Sequence, residues 1–145
     1  IENCPVMVVP EQFEIGHYQE ILFATDFKHH YKKVEVQPLL EIAKITRACV
    51  VVTHIAMEEA LDEEQKQLRK LLGRLLEGVT IRYADITYYP DIASRIQQWS
   101  REARMGMIAM INSKHGFFSS LLREPVVKRI AFHTEVPFLV LPEIP

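Results

Sequence analysis

Several things are scarce in this chain of 145 residues, and each scarcity removes a class of function. Only two cysteines occur, Cys4 and Cys49, with no CxxC spacing. Both stand in apolar runs and read as buried thiols of a reducing cytoplasm. Glycine is confined to Gly16, Gly73, Gly78, Gly106 and Gly116, in an arrangement that offers neither a Walker loop nor a G-x-S-x-G elbow. Net charge is only −2, and no basic stripe is present. No bulk field therefore draws the chain to nucleic acid or to an anionic membrane. No apolar run approaches the ~20 residues of a membrane span. Residues Ile1 to Pro10 lack the basic start and long apolar region of a signal peptide. The chain begins with Ile, which suggests a piece of a longer protein.

What is present is an alternation of buried-strand and helix patterns. Ile21–Thr25 (ILFAT) is an unbroken apolar run ending at Asp26, as in a strand covered on both faces. Ala48–Thr53 (ACVVVT) and Met107–Ile111 (MIAMI) are further buried strands. Val79–Thr87 alternates apolar and polar residues and reads as an edge strand. Pro5–Pro10 and Pro137–Pro142 are short strands bracketed by prolines.

Helical spacing joins Val34, Leu39, Leu40, Ile42, Ala43 and Ile45, with Pro38 expected in an early turn. Ala60–Glu77 is amphipathic, acidic first and basic later, with Gly78 as its C-cap. Asp91–Arg104 carries the stripe Ile92, Ile96, Trp99, with Trp99 read as a packing residue. Pro125–His133 is a short fourth helix. The order β-α-β-α-β-α-β-α-β predicts an α/β fold: a doubly wound parallel sheet with helices on both faces, three layers deep.

The two ends of the chain resemble each other. Cys4–Glu11 (CPVMVVPE) and Val136–Glu143 (VPFLVLPE) share x-Pro, four apolar residues and Pro-Glu, 132 residues apart. Residues 1–10 then read as the last strand of a preceding repeat, 11–19 as a linker and 20–145 as the domain itself.

In Ile21–Phe27 (ILFATDF), Gly106–Met110 (GMIAM), Val126–Ile130 (VVKRI) and Val136–Leu141 (VPFLVL), the chain resembles the universal stress protein family. The pieces come in the family's order across residues 20–142. The resemblance implies a five-stranded parallel sheet in the order 3-2-1-4-5, the adenine nucleotide alpha hydrolase-like fold. It also implies that the chain is the C-terminal domain of a tandem protein acting in stress response. Many family members bind ATP through G-x2-G-x9-G-[ST] after the fourth strand. Here those positions hold Ile111, Lys114, Glu124 and Pro125.

None of the four replacements suits a phosphate. Pro125 has no N–H to donate, and Glu124 sets a carboxylate where a phosphate would lie. Side chains at Ile111 and Lys114 hinder close backbone approach. The expectation is therefore a non-catalytic domain with no cofactor, acting through dimerisation or protein association. It would form a homodimer, or a pseudo-dimer with the other half of a tandem protein. Main-chain pairing would run along Phe138, Leu139, Val140 and Leu141, with Val6 and Val8 as the covering strand.

The competing reading is an ATP- or AMP-binding switch. It would use Thr25, Asp26, Val52 and Asn112 for base and ribose, and Lys114, His115 or Arg123 for phosphate. A zinc site from His29, His30, His54, His115 and Asp26 is geometrically conceivable at the sheet's upper edge. These residues are read instead as loop histidines with no common partner, so no metal is expected.

Overall fold

The structure, a computed structural model, describes residues 3–11, 13, 19–56, 58–87, 91–113 and 126–145. Its strands are β1 (Val6–Val8), β2 (Glu20–Thr25), β3 (Cys49–Ala56), β4 (Ile81–Thr87), β5 (Met107–Asn112) and β6 (Phe138–Pro142). Its helices are α1 (Lys33–Thr46), α2 (Glu63–Leu75), α3 (Ile92–Glu102) and α4 (Val126–His133).

One sheet runs in the order β1-β6-β5-β2-β3-β4. From β2 onward this is the expected 3-2-1-4-5 order of five parallel strands. The sixth strand is the segment expected to cover Phe138–Leu141. β1 adds itself antiparallel to β6, with Val6 opposite Val140 and Val8 opposite Phe138.

Alternation in the buried strands divides the core into two layers. Ile21 and Phe23 of β2 face Leu39, Leu40 and Leu72 on the α1–α2 side. Leu22 and Ala24 face Ile92, Ile96 and Ile130 on the α3–α4 side. Both faces of the central strands are thus covered, as their unbroken apolar runs require.

The helix ends follow local chemistry. Asp62 accepts from Gln65 N–H at 2.7 Å, and Gln65 accepts from Asp62 N–H at 3.0 Å, forming a reciprocal box at the start of α2. Asp91 accepts from Ser94 N–H at 2.9 Å and caps α3. Arg47 and Arg104, at φ 57° and 55°, end α1 and α3 in the left-handed region. Each closes with a bond back into the last turn, Ala48 N–H to Ala43 O and Met105 N–H to Ser100 O. Gly78, at φ 103°, turns the chain after α2.

Four expectations need correction. Cys4 is exposed and Cys49 only partly buried, because the β1 edge and the β3 start are open to solvent. Val34 and Ile45 point outward from α1, so its apolar stripe is narrower than the sequence suggests. Pro38 is the sixth residue of α1, beyond the first turn. The second helix begins at Glu63, where the Asp62 cap sets its start, and not at Ala60.

Candidate functional site

The C-terminal ends of parallel strands are where open α/β sheets hold ligands. At the end of β2, Thr25 and Asp26 are buried. Their side chains close a tight turn: Phe27 N–H donates to Thr25 Oγ1 at 3.2 Å and Lys28 N–H to Asp26 Oδ1 at 2.9 Å. The turn holds Phe27 at φ 59°, a left-handed conformation that costs a bulky residue roughly 1–2 kcal/mol. Asp26 thus has turn-closing work to do whether or not a ligand is present.

Tyr31 fills the space above this turn. Its hydroxyl hydrogen-bonds Thr25 Oγ1, and the ring is buried. Burial holds the phenol above its ordinary range; the Thr25 bond works against that shift and the Asp26 charge adds to it. Beside it, His29 Nε2 lies 2.9 Å from Glu35 Oε1. Glu35 is 1% exposed, yet it accepts from Lys32 N–H and Ile144 N–H, each at 2.9 Å. Lys32 Nζ in turn donates to Ile144 O at 2.6 Å. The C-terminal segment after β6 is therefore fastened over the β2–α1 turn. The cavity left among Thr25, Asp26, His29, Tyr31, Ile111 and Ser113 is about 10 Å³, room for one water.

A second polar group lies beside it. His54, at the end of β3, has Nδ1 2.9 Å from Asp85 Oδ1 and Nε2 2.8 Å from Glu58 Oε1. Gln65 Nε2 donates to Glu58 Oε1 at 3.3 Å and to Asp26 O at 3.0 Å. A continuous chain of hydrogen bonds thus runs from β4 through His54 to the turn at Asp26. Phe27 stacks on the His54 ring at 5.1 Å. The cleft above measures about 360 Å³, with Arg69 lying 4.3 Å over the Tyr83 ring on its far wall.

The sequence-predicted residues separate accordingly. Thr25 and Asp26 do come together. Val52 is wholly buried and faces the α1–α2 core, so its side chain does not reach the cleft. Asn112 is exposed at the end of β5. Lys114, His115, Arg123, Glu124 and Pro125 lie outside the described residues. Phe138, Leu139 and Leu141 turn their side chains into the chain's own core, while Val140 and Val8 are half-buried and Val6 is exposed.

His29, His30 and His54 each have a carboxylate partner of their own: Glu35, Glu64, and the Glu58/Asp85 pair. Among the described residues no group of three or more ligating side chains is placed to hold a metal. No helix there is long and apolar enough to cross a membrane.

Sequence reasoning missed Tyr31, Glu35 and Gln65. Glu35 and Gln65 were disguised as surface charge and helix polarity. The Asp62–Gln65 spacing, a capping-box signature, could have marked Gln65; Lys32 has no acceptor to offer at its cap, so Glu35 carried no such mark.

No protein-family model and no curated protein sequence matches the chain. Solved structures do match. A universal stress protein from Archaeoglobus fulgidus DSM 4304 superposes with a TM-score of 0.68 at 14% identity, over 97% of this chain and 50% of that one. This chain thus spans about half of that protein's length. A universal stress protein in complex with cAMP gives a TM-score of 0.66 at 13% identity, over 88% of this chain and 98% of that one. One from A. fulgidus in complex with dAMP gives 0.62 at 14%, over 86% and 98%. At these identities the likeness is one of fold, and the fold is that of the universal stress proteins.

Proposed function

We propose that this chain is a universal stress protein-type domain of the cytoplasm, serving stress response by association and without catalysis. The observation that carries the reading is the added strand. β1 lies antiparallel on β6, which is how a segment from elsewhere completes an open sheet edge. Val6 and Met7, on opposite faces of β1, and Val9 just beyond it leave apolar side chains at this edge, respectively 42%, 37% and 55% exposed. The partner is a second domain of the same fold, from a second copy or from the other half of a tandem protein. The nearly filled space at Thr25 and Asp26 supports a domain that works without a nucleotide.

Light scattering on the purified chain tests this: a dimer mass is expected. Replacing Val6 and Val9 with Lys should return it to monomer, since both are exposed and the β1–β6 backbone pairing survives. A monomeric parent, or an unchanged mass in the double variant, contradicts the reading.

A second reading rests on the neighbours whose structures hold cAMP and dAMP. In it, an AMP-type nucleotide enters beside Asp26 after Tyr31 and His29 swing out, and Lys114, His115 or Arg123 meets the phosphate.

A further inference from the structure

The opposite end of the sheet carries a cavity that neither reading uses. It measures about 280 Å³ and lies where α3 and α4 end, beneath the start of β5 and β6. Gln97, Ser100, Arg101 and Arg104 follow one another at helical spacing and form one wall. His133, the last residue of α4, and Glu135, in the connection to β6, form the other. Ile108 and Val136 lie between them.

Three features set this cavity apart from a plain surface groove. The first is an orphaned donor. Gln97 Nε2 is sealed in the cavity wall and, like Arg95 Nη1 and Trp99 Nε1, has no hydrogen-bond partner among the described residues. A buried amide without a partner costs about 1–3 kcal/mol, a cost relieved if the Gln97 side chain turns to meet an acceptor in the cavity.

The second is surplus positive charge. Arg101 Nη1 stands 3.7 Å from Glu135 Oε1, a loose pairing. The side chain of Arg104 has no ion pair or hydrogen bond among the described residues. Arg101 and His133 lie in the last turns of their helices, where basic groups offset the negative ends of the helix dipoles. Arg104 follows α3 and is left over after that balance.

The third is size. At about 280 Å³ the volume lies just under the usual span of small-molecule pockets and is far more than a lone water needs.

We propose that this cavity binds a small oxyanion, a carboxylate or phosphate group carried by a small metabolite. Arg104 supplies the forked donor that suits either oxyanion, and Gln97, its Nε2 sealed in the wall, turns to donate the second hydrogen bond. Arg101 serves as a further donor when Glu135 turns aside. The site is separate from the Thr25–Asp26 turn, at the other end of the strands, and does not depend on how that turn is read.

NMR titration of the 15N-labelled full chain tests the proposal, with inorganic phosphate and succinate as separate probes at constant ionic strength. Saturable shifts are expected at the Gln97 side-chain amide and at backbone amides near residues 101–105 and 133–136. Whichever probe saturates at lower concentration identifies the oxyanion. Arg104→Ala should weaken binding by about tenfold, the loss of one charge-assisted bond. Gln97→Leu should weaken it with the spectrum otherwise unchanged, and that spectrum reports the fold of each variant. No saturable shift with either probe overturns the proposal. So does equal binding by parent and Arg104→Ala, or shifts that map to other surfaces.

Discussion

The turn after β2 and the cavity beneath β5 and β6 solve opposite problems. At the turn, Thr25, Asp26, Tyr31, Glu35 and the segment at Ile144 satisfy one another and leave about 10 Å³ among the described residues. At the N-terminal end, beneath β5 and β6, about 280 Å³ stays open beside a buried amide donor with no acceptor among the described residues. In a fold whose ligands gather at the C-terminal ends of the strands, the end of β2 is filled by side chains, while the cleft of about 360 Å³ over His54 and Asp85 stays open. Position in the fold is therefore a poor guide to what a cleft holds; the tally of hydrogen bonds is a better one.

The comparison breaks most visibly if the packed end is emptied. Tyr31→Ala should cost about 3–4 kcal/mol in chemical denaturation, as for other buried aromatics cut to alanine. A loss under about 1 kcal/mol would mean that the ring does not fill the turn. Glu35→Gln should cost about 2 kcal/mol, because an amide cannot accept from Lys32 N–H, Ile144 N–H and His29 as the carboxylate does. Amide exchange at Ile144 should quicken in the same variant.

A milder effect belongs to the start of α3. Asp91 caps α3 and accepts from Arg129 Nη1 at 3.0 Å, tying α3 to α4. Its burial pushes the carboxyl up, but the bonds from Ser94 and the Arg129 charge outweigh it and hold it below the ordinary value. The folded state thus binds that proton less readily than the unfolded one. Its stabilisation is present above the ordinary carboxylate range and is lost as pH falls through the lowered value. Asp91→Ala should cost about 1 kcal/mol near neutrality, with the gap from the parent narrowing in acid.

The smallest effect is at the thiols. Cys4 is exposed, whereas burial and then the Glu20 charge raise the Cys49 thiol, with Arg82 opposing. A thiol reagent at neutral pH should modify Cys4 first and Cys49 distinctly later.

Much of the architecture was legible because burial leaves a mark on composition. Strands covered on both faces must be apolar without a break, and β2, β3 and β5 are; the parallel order then follows from the helices between them. The sixth strand was foreshadowed by the matching Pro-bracketed ends, and β1 does pair with β6. The site was less legible. Asp26 stood out as the end of a run, but its turn with Phe27 at positive φ leaves no signature in residue type. Glu35, Gln65 and Gln97 look like ordinary helix polarity. What distinguishes them is a partner found or missing 30 or more residues away, or a cavity wall, and neither is written in local spacing. Val52 shows the reverse failure. Its neighbourhood pointed at the cleft, and the strand's alternation turned its side chain into the core.

The central proposal is of a domain that works without a nucleotide at Thr25 and Asp26. The direct measurement is to denature the freshly purified chain and resolve the released small molecules by chromatography against protein concentration. The account predicts no adenine nucleotide above trace level. An AMP-, cAMP- or ATP-type peak stoichiometric with the protein would contradict it.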